Sequence, residues 1–142
     1  MSLVLDSSAT LAWIYADETT AAIRQVFDRV AQEGAVVPAL WRLEVANGLT
    51  MALRRGRIDI DFRNSTLADL AILNVTTDPF TNALAWTQTL MLADRFRLTL
   101  YDAAYLELAW RRALPLASLD HQLCDAAARL GVNLLGGADP LN

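Results

Sequence analysis

Short apolar runs of three to five residues alternate along this chain with amphipathic segments of helical period. Residues 3–5, 35–37, 71–75 and 116–119 read as strands, and 132–135 as a further short one. Helical patterns fill the intervals at 10–15, from about 20 to Gly34, at 39–55 and at 59–70. Another is opened by Thr77-Asp78-Pro79 and runs to about Arg95, with Pro79 at its tolerated first turn. Further helices are expected at 102–112 and at 120–130, the last stopped by Gly131. Strands too short to hold alone, each followed by a helix, specify an α/β fold. We expect one domain over 1–142, with a central parallel sheet of four to five short strands flanked by helices.

Composition narrows the function classes. Hydrophobic residues make up 54% and charged residues only 20%, so the chain can fill a core and is not disordered. The apolar surplus suggests a face that covers a partner or a second copy of the chain. All 12 cations are Arg, which excludes a Schiff-base lysine, a Walker lysine and the clamp lysine of a phosphoacceptor receiver domain. A single Cys excludes an internal disulfide and a multi-Cys zinc site. No basic, apolar leader opens the chain, and the uncharged run at 79–93 falls short of the ~20 apolar residues of a membrane span. The expected setting is cytoplasmic, without membrane contact.

In an open parallel sheet, chemistry sits at the carboxyl ends of the strands. Four acids map there. Asp6 follows the first strand, Asp120 follows residues 116–119, Glu44 lies in the second turn of the helix after 35–37, and Asp102 opens a helix after 98–100. Asp6 and Asp120 also suit an ordinary role as helix N-caps. Glu44 lies among Trp41, Leu43 and Val45, and Asp102 shares a core-like stripe with Tyr105, Leu106 and Ala109. An unpaired carboxylate in such a setting costs several kcal/mol or is forced neutral. With no Lys to pair it, a divalent cation is the simplest counter-charge, and an all-oxygen set suits Mg²⁺ or Mn²⁺.

These residues carry a family resemblance. Leu3-Val4-Leu5-Asp6-Ser7-Ser8, the stretch from Pro38 to Asn47, Leu100-Tyr101-Asp102-Ala103-Ala104-Tyr105-Leu106 and Ala117-Ser118-Leu119-Asp120 stand in one order and spacing. In that order they resemble a PIN-domain ribonuclease of the VapC toxin family, over nearly the whole chain. The resemblance implies that Asp6, Glu44, Asp102 and Asp120 form an acidic quartet holding Mg²⁺ or Mn²⁺. It also implies supporting roles for Ser7, Ser8 and Asn47. Ser118 stands where the family more often carries Thr, and Thr99 is a further supporting candidate. The implied activity is metal-dependent endoribonuclease cleavage by an activated water, leaving 5′-phosphate and 3′-hydroxyl ends. The implied partners are RNA, a VapB-type antitoxin covering the acidic groove, and a second copy in a homodimer.

Two Arg groups are candidate RNA contacts: Arg54, Arg55 and Arg57 at the end of the Glu44 helix, and Arg95, Arg97, Arg111 and Arg112 around Asp102. Each group also fits an ordinary solvated helix end. His121 reads as a surface residue, Cys124 as a small buried side chain, and Asp125 as an outer acid or a solvated position. Trp13, Trp86 and Trp110 read as core or interface residues. Two alternatives remain beside the toxin: a housekeeping RNA-processing nuclease of the same fold, and a non-catalytic module acting through its partner.

Overall fold

The computed structural model describes residues 1–137. The chain runs β1 (Leu3–Leu5), α1 (Ser7–Ile14), α2 (Ala21–Glu33), β2 (Ala35–Val37), α3 (Trp41–Arg54), α4 (Ile60–Ala71), β3 (Val75–Thr77), α5 (Thr81–Leu84), α6 (Gln88–Phe96), α7 (Leu100–Arg112), β4 (Leu116–Ala117), α8 (His121–Leu130) and β5 (Leu134–Leu135). The five strands form one parallel sheet in the order β3-β2-β1-β4-β5. This is the expected α/β architecture. β1 is central, and its three residues have no exposed surface, as a strand covered on both faces must.

Register sets the height of everything above the sheet. Leu3 pairs with Ala35, and Leu5 with Ala117. The Asp6 amide then extends the ladder by donating to Ala117 O at 3.0 Å, and the Asp78 amide does the same to Val37 O at 2.8 Å. Asp6, Pro38, Asp78 and Ser118 therefore stand just beyond the carboxyl ends of four adjacent strands. Helices join in two groups. α1 packs on α2 and α3, and α3 on α4; α7 packs on β1 and β4, with α6 and α8 against it. α1 and α3 approach closely at Gly48, where a Cβ would lie only 2.7 Å from Leu11 Cδ1. A side chain there would displace the Leu11 side chain, which packs between the helices that carry Asp6, at the head of α1, and Glu44.

Several boundaries differ from expectation. The strand expected at 71–75 is β3 at Val75–Thr77, because the α4 helix keeps Ala71 and leaves Ile72 84% exposed. The single helix expected from Thr77 to Arg95 is two. Thr77 stays in the sheet, Asp78 is buried, and Thr87 takes a non-helical φ −120°, ψ −101° between α5 and α6. The helix expected at 102–112 begins two residues earlier, at Leu100, capped by Thr99, whose Oγ1 accepts the Asp102 amide at 3.1 Å. β4 and β5 are shorter than expected, and the expected domain end at 138–142 lies outside the described residues. None of the described helices is long and apolar enough to cross a membrane.

Candidate active site

Asp6 occupies the N-cap position of α1 with extended backbone, yet its side chain makes no capping bond. It turns into the molecule instead, only 3% exposed. Ser8 Oγ and Ser118 Oγ each donate to Asp6 Oδ2 at 2.7 Å. The two hydroxyls are themselves fixed: Ser8 Oγ accepts the Leu119 amide at 3.0 Å, and Ser118 Oγ accepts the Asp120 amide at 3.1 Å. One carboxylate oxygen is thus pinned by the ends of β1 and β4. The other, Oδ1, has only a long 3.4 Å approach from Ser7.

Glu44 reaches the same region from the first turn of α3. Its Oε1 accepts a 2.6 Å hydrogen bond from Tyr105 Oη on α7, and a distant 3.4 Å contact from Ser7 Oγ. Tyr105 belongs to the core by burial and to the site by its hydroxyl. The sequence pattern placed Tyr105 beside Asp102 on a core-facing stripe and so hid its polar end. The Asp102 carboxylate, in the first turn of α7, accepts no hydrogen bond within 3.5 Å among the described residues, although the Thr99 hydroxyl beside it favours its charged form. Asp120 does cap its helix, with Oδ1 accepting the Leu123 amide at 2.9 Å. The capping role fits Asp120 and fails for Asp6.

The four acids share one electrostatic field. Burial pushes the Asp6 carboxyl above its usual range against the pull of its serine donors, with Asp120 adding repulsion. Burial also raises Glu44, opposed by Tyr105 and reinforced by Asp6. Asp102 is pushed up to about 6, first by burial and then by Asp120, Asp6 and Glu44. No Arg pairs with any of the four among the described residues. The contrast with the other buried acids is direct. Asp78 and Glu107, each 2% exposed, share Arg111, whose guanidinium lies 2.8 Å from Asp78 Oδ2 and 2.6 Å from Glu107 Oε1.

Among the described residues, no three acidic, His or Cys groups come close enough to make a ready ligand cluster. The acids feel one another through the field and do not crowd into contact, as uncompensated like charges should not. The donor set nonetheless fits a hard cation. It is all oxygen, it lacks a counter-charge, and each acid keeps at least one oxygen without a donor nearer than 3.4 Å.

The remaining candidates separate. Ser8 and Ser118 hold Asp6, Ser7 lies between Asp6 and Glu44, and Thr99 caps the helix through the Asp102 amide. Asn47 is exposed and makes no hydrogen bond among the described residues. Arg111 is committed to Asp78 and Glu107, and Arg112 lies 3.8 Å from Asp78. Arg57 is bound to Asp17 and stacked 3.9 Å over Tyr15. Arg95 lies over Phe96, and Arg97 adopts the left-handed C-cap of α6. Arg54 and Arg55 make no ion pair among the described residues. Cys124, half-buried, directs its thiol to Ser118 O. His121 and Asp125 are exposed.

Comparison with known proteins bears on the fold and the family. The crystal structure of PAE2754 from Pyrobaculum aerophilum aligns with a TM-score of 0.69 and 23% identity, over 94% of this chain and 83% of that one. At that identity the likeness shows the fold. No curated protein matches the chain. Residues 3–129 match the PIN domain, a fold that generally serves metal-dependent nucleases. The chain belongs to the PIN-domain family.

Proposed function

We propose that this PIN domain is a Mg²⁺- or Mn²⁺-dependent endoribonuclease, the toxin of a type II toxin–antitoxin pair of the VapC kind. The observation that carries the nuclease reading is the contrast between two groups of acids, of which Asp6, Asp78 and Glu107 are buried and Glu44, Asp102 and Asp120 are partly exposed. Asp78 and Glu107 have their Arg; Asp6, Glu44, Asp102 and Asp120, at the strand ends, have none. Asp6, Glu44, Asp102 and Asp120 would hold the cation, which when bound polarises the scissile phosphate and acidifies a water.

The chain's own residues prepare that site. Ser8 and Ser118 lock the Asp6 carboxylate on one oxygen and leave the other open. Tyr105 fixes Glu44, so a ligand oxygen is held in place without reorganisation. Asp102, raised to about 6 by burial and by the neighbouring acids, is the carboxylate whose charge a bound cation would most relieve. Leu43, Tyr101 and Leu119 are exposed beside Glu44, Asp102 and Asp120, and this apolar rim supports a VapB-type antitoxin seated over the acids. The exposed apolar surplus, including Trp86, is the support for a homodimer.

Purified protein incubated with RNA in Mg²⁺ or Mn²⁺ should yield fragments with 5′-phosphates. Cleavage should stop with EDTA and fall by orders of magnitude in Asp102→Asn. Wild-type rates in that variant, or cleavage in EDTA, would overturn the metal-nuclease reading. Growth arrest on expression, relieved by the product of a neighbouring small reading frame, tests the toxin role.

A further inference from the structure

A groove of about 650 Å³ between α1 and α3 is lined by Ser8 and Leu119, by Arg55, Arg57 and Glu18, and by apolar residues that include Leu11 and Met51. None of the four acids lines it, but two of its residues adjoin them. Ser8 Oγ binds Asp6, and Leu119 immediately precedes Asp120.

The two arginines at the far end are unlike. Arg57 is paired, though exposed: its guanidinium lies 3.0 and 3.2 Å from the two oxygens of Asp17, 3.7 Å from Glu18 and over the Tyr15 ring. It ties the α1–α2 turn to the α3–α4 turn and closes the groove. Arg55 lines the same groove, is exposed, and makes no ion pair among the described residues. An unpaired planar cation therefore shares this groove with Ser8 and Leu119, the neighbours of Asp6 and Asp120, while the acid on its wall, Glu18, is turned to Arg57 at 3.7 Å.

We infer that this groove is a nucleotide subsite for single-stranded RNA, with Arg55 binding the phosphate next to the scissile one. The inference deepens the nuclease reading and rests on it. The charge pattern selects the occupant. A polyanion can bridge from a cation held by the acids to Arg55, while its base or ribose covers Leu11 and Met51. Guanidinium forks suit phosphate. An unpaired strand can lay a base on an apolar floor, which a duplex cannot do.

The test reads binding apart from turnover. A fluorescein-labelled single-stranded hexaribonucleotide is titrated with Ca²⁺ in place of Mg²⁺, so that a hard cation can sit on the acids while binding is read, at several low salt concentrations, and followed by anisotropy. Arg55→Gln should weaken binding about tenfold and lower the salt slope by about 1. Arg24→Gln removes the same charge from α2, outside the groove, and should change binding less than about twofold. Both residues are exposed, so both variants should melt like wild type. Equal effects of the two substitutions, as a peptide-binding groove would give, overturn the subsite. Cleavage in Mg²⁺ is measured separately. Arg55-dependent binding without cleavage sinks the nuclease reading and keeps the RNA subsite, whereas cleavage with unchanged Arg55→Gln binding does the reverse.

Discussion

The Tyr105 hydroxyl donates a 2.6 Å hydrogen bond to Glu44 Oε1, joining α7 to α3 across 61 positions of sequence. The pairing explains how a carboxylate without a cation is tolerated in a half-buried place. It also makes α7 contribute to the site twice, through Asp102 at its start and Tyr105 one turn later. Both acids are thus set by the same helix, and α7 in turn rests on β1 and β4.

Tyr105→Phe removes only the hydroxyl. Phe fills the same fully buried space, so stability should change by about 1 kcal/mol. Glu44 then loses its one close donor, and cleavage at low Mg²⁺ should fall roughly 10- to 100-fold, with half-maximal cleavage shifted to higher Mg²⁺ concentration. Melting curves and metal titrations of cleavage check this. An unchanged metal titration would show that Tyr105 serves the core alone.

Arg111→Met should act on folding. Arg111 is the close partner of two buried carboxylates, and its loss leaves Asp78 and Glu107 facing each other with only Arg112 at 3.8 Å. Breaking a buried pair from one side costs about 3–5 kcal/mol. Denaturant unfolding should show a loss of that order. A loss below about 1 kcal/mol would mean that the network is solvated and that Arg111 is free to meet RNA.

The distribution of what could be read from sequence has a physical basis. Strand–helix alternation is a periodic signal, and it located the sheet and the four acids at its carboxyl edge. The β3 strand and the break at Thr87 depend on tertiary contacts: Asp78 is drawn down to Arg111, and no pattern in 77–95 encodes its partner more than thirty positions away. Arg57 and Arg111 looked like free cations because ion pairing is a property of the folded neighbourhood. Tyr105 was legible as a core residue, but the direction of its hydroxyl was not. Asp6 resembled an N-cap by position, and only the two serine donors reveal that its carboxylate faces inward.

Acid should stabilise the metal-free protein. Asp102 titrates near 6 when folded and near 3.8 when unfolded, so between these values the folded state binds more protons. Its contribution is fully present below 3.8 and is lost as pH rises through 6. Linkage sets an upper bound of about 3 kcal/mol, and roughly half survives solvent screening. Asp6 and Glu44 are raised and act with the same sign. Asp78 is lowered and opposes them only as pH falls toward 3.8. In EDTA the melting temperature should be higher at pH 5 than at pH 7.5, with a smaller difference in Asp102→Asn. A higher melting temperature at pH 7.5 in both proteins would contradict the assignment.

Asp6→Asn isolates the cation's contribution to stability. Asp6 Oδ2 receives both serine hydroxyls, and an Asn carbonyl oxygen can accept the same two bonds. The side chain makes no capping bond that the change would disturb. Without metal, the variant loses a buried carboxylate and its repulsion from Asp120, so it should be as stable as wild type or more so. Mg²⁺ should then stabilise wild type by mass action, about 2.7 kcal/mol at a hundredfold excess over Kd. With its oxygen held by the serines, the variant presents an NH₂ where Oδ1 stood, which cannot bind a cation, so its Mg²⁺-induced rise in melting temperature should be much smaller. Thermal denaturation at matched ionic strength compares the two rises. Equal rises would show that Asp6 does not help to hold the ion, and that the inward turn of its carboxylate serves only to join β1 to β4.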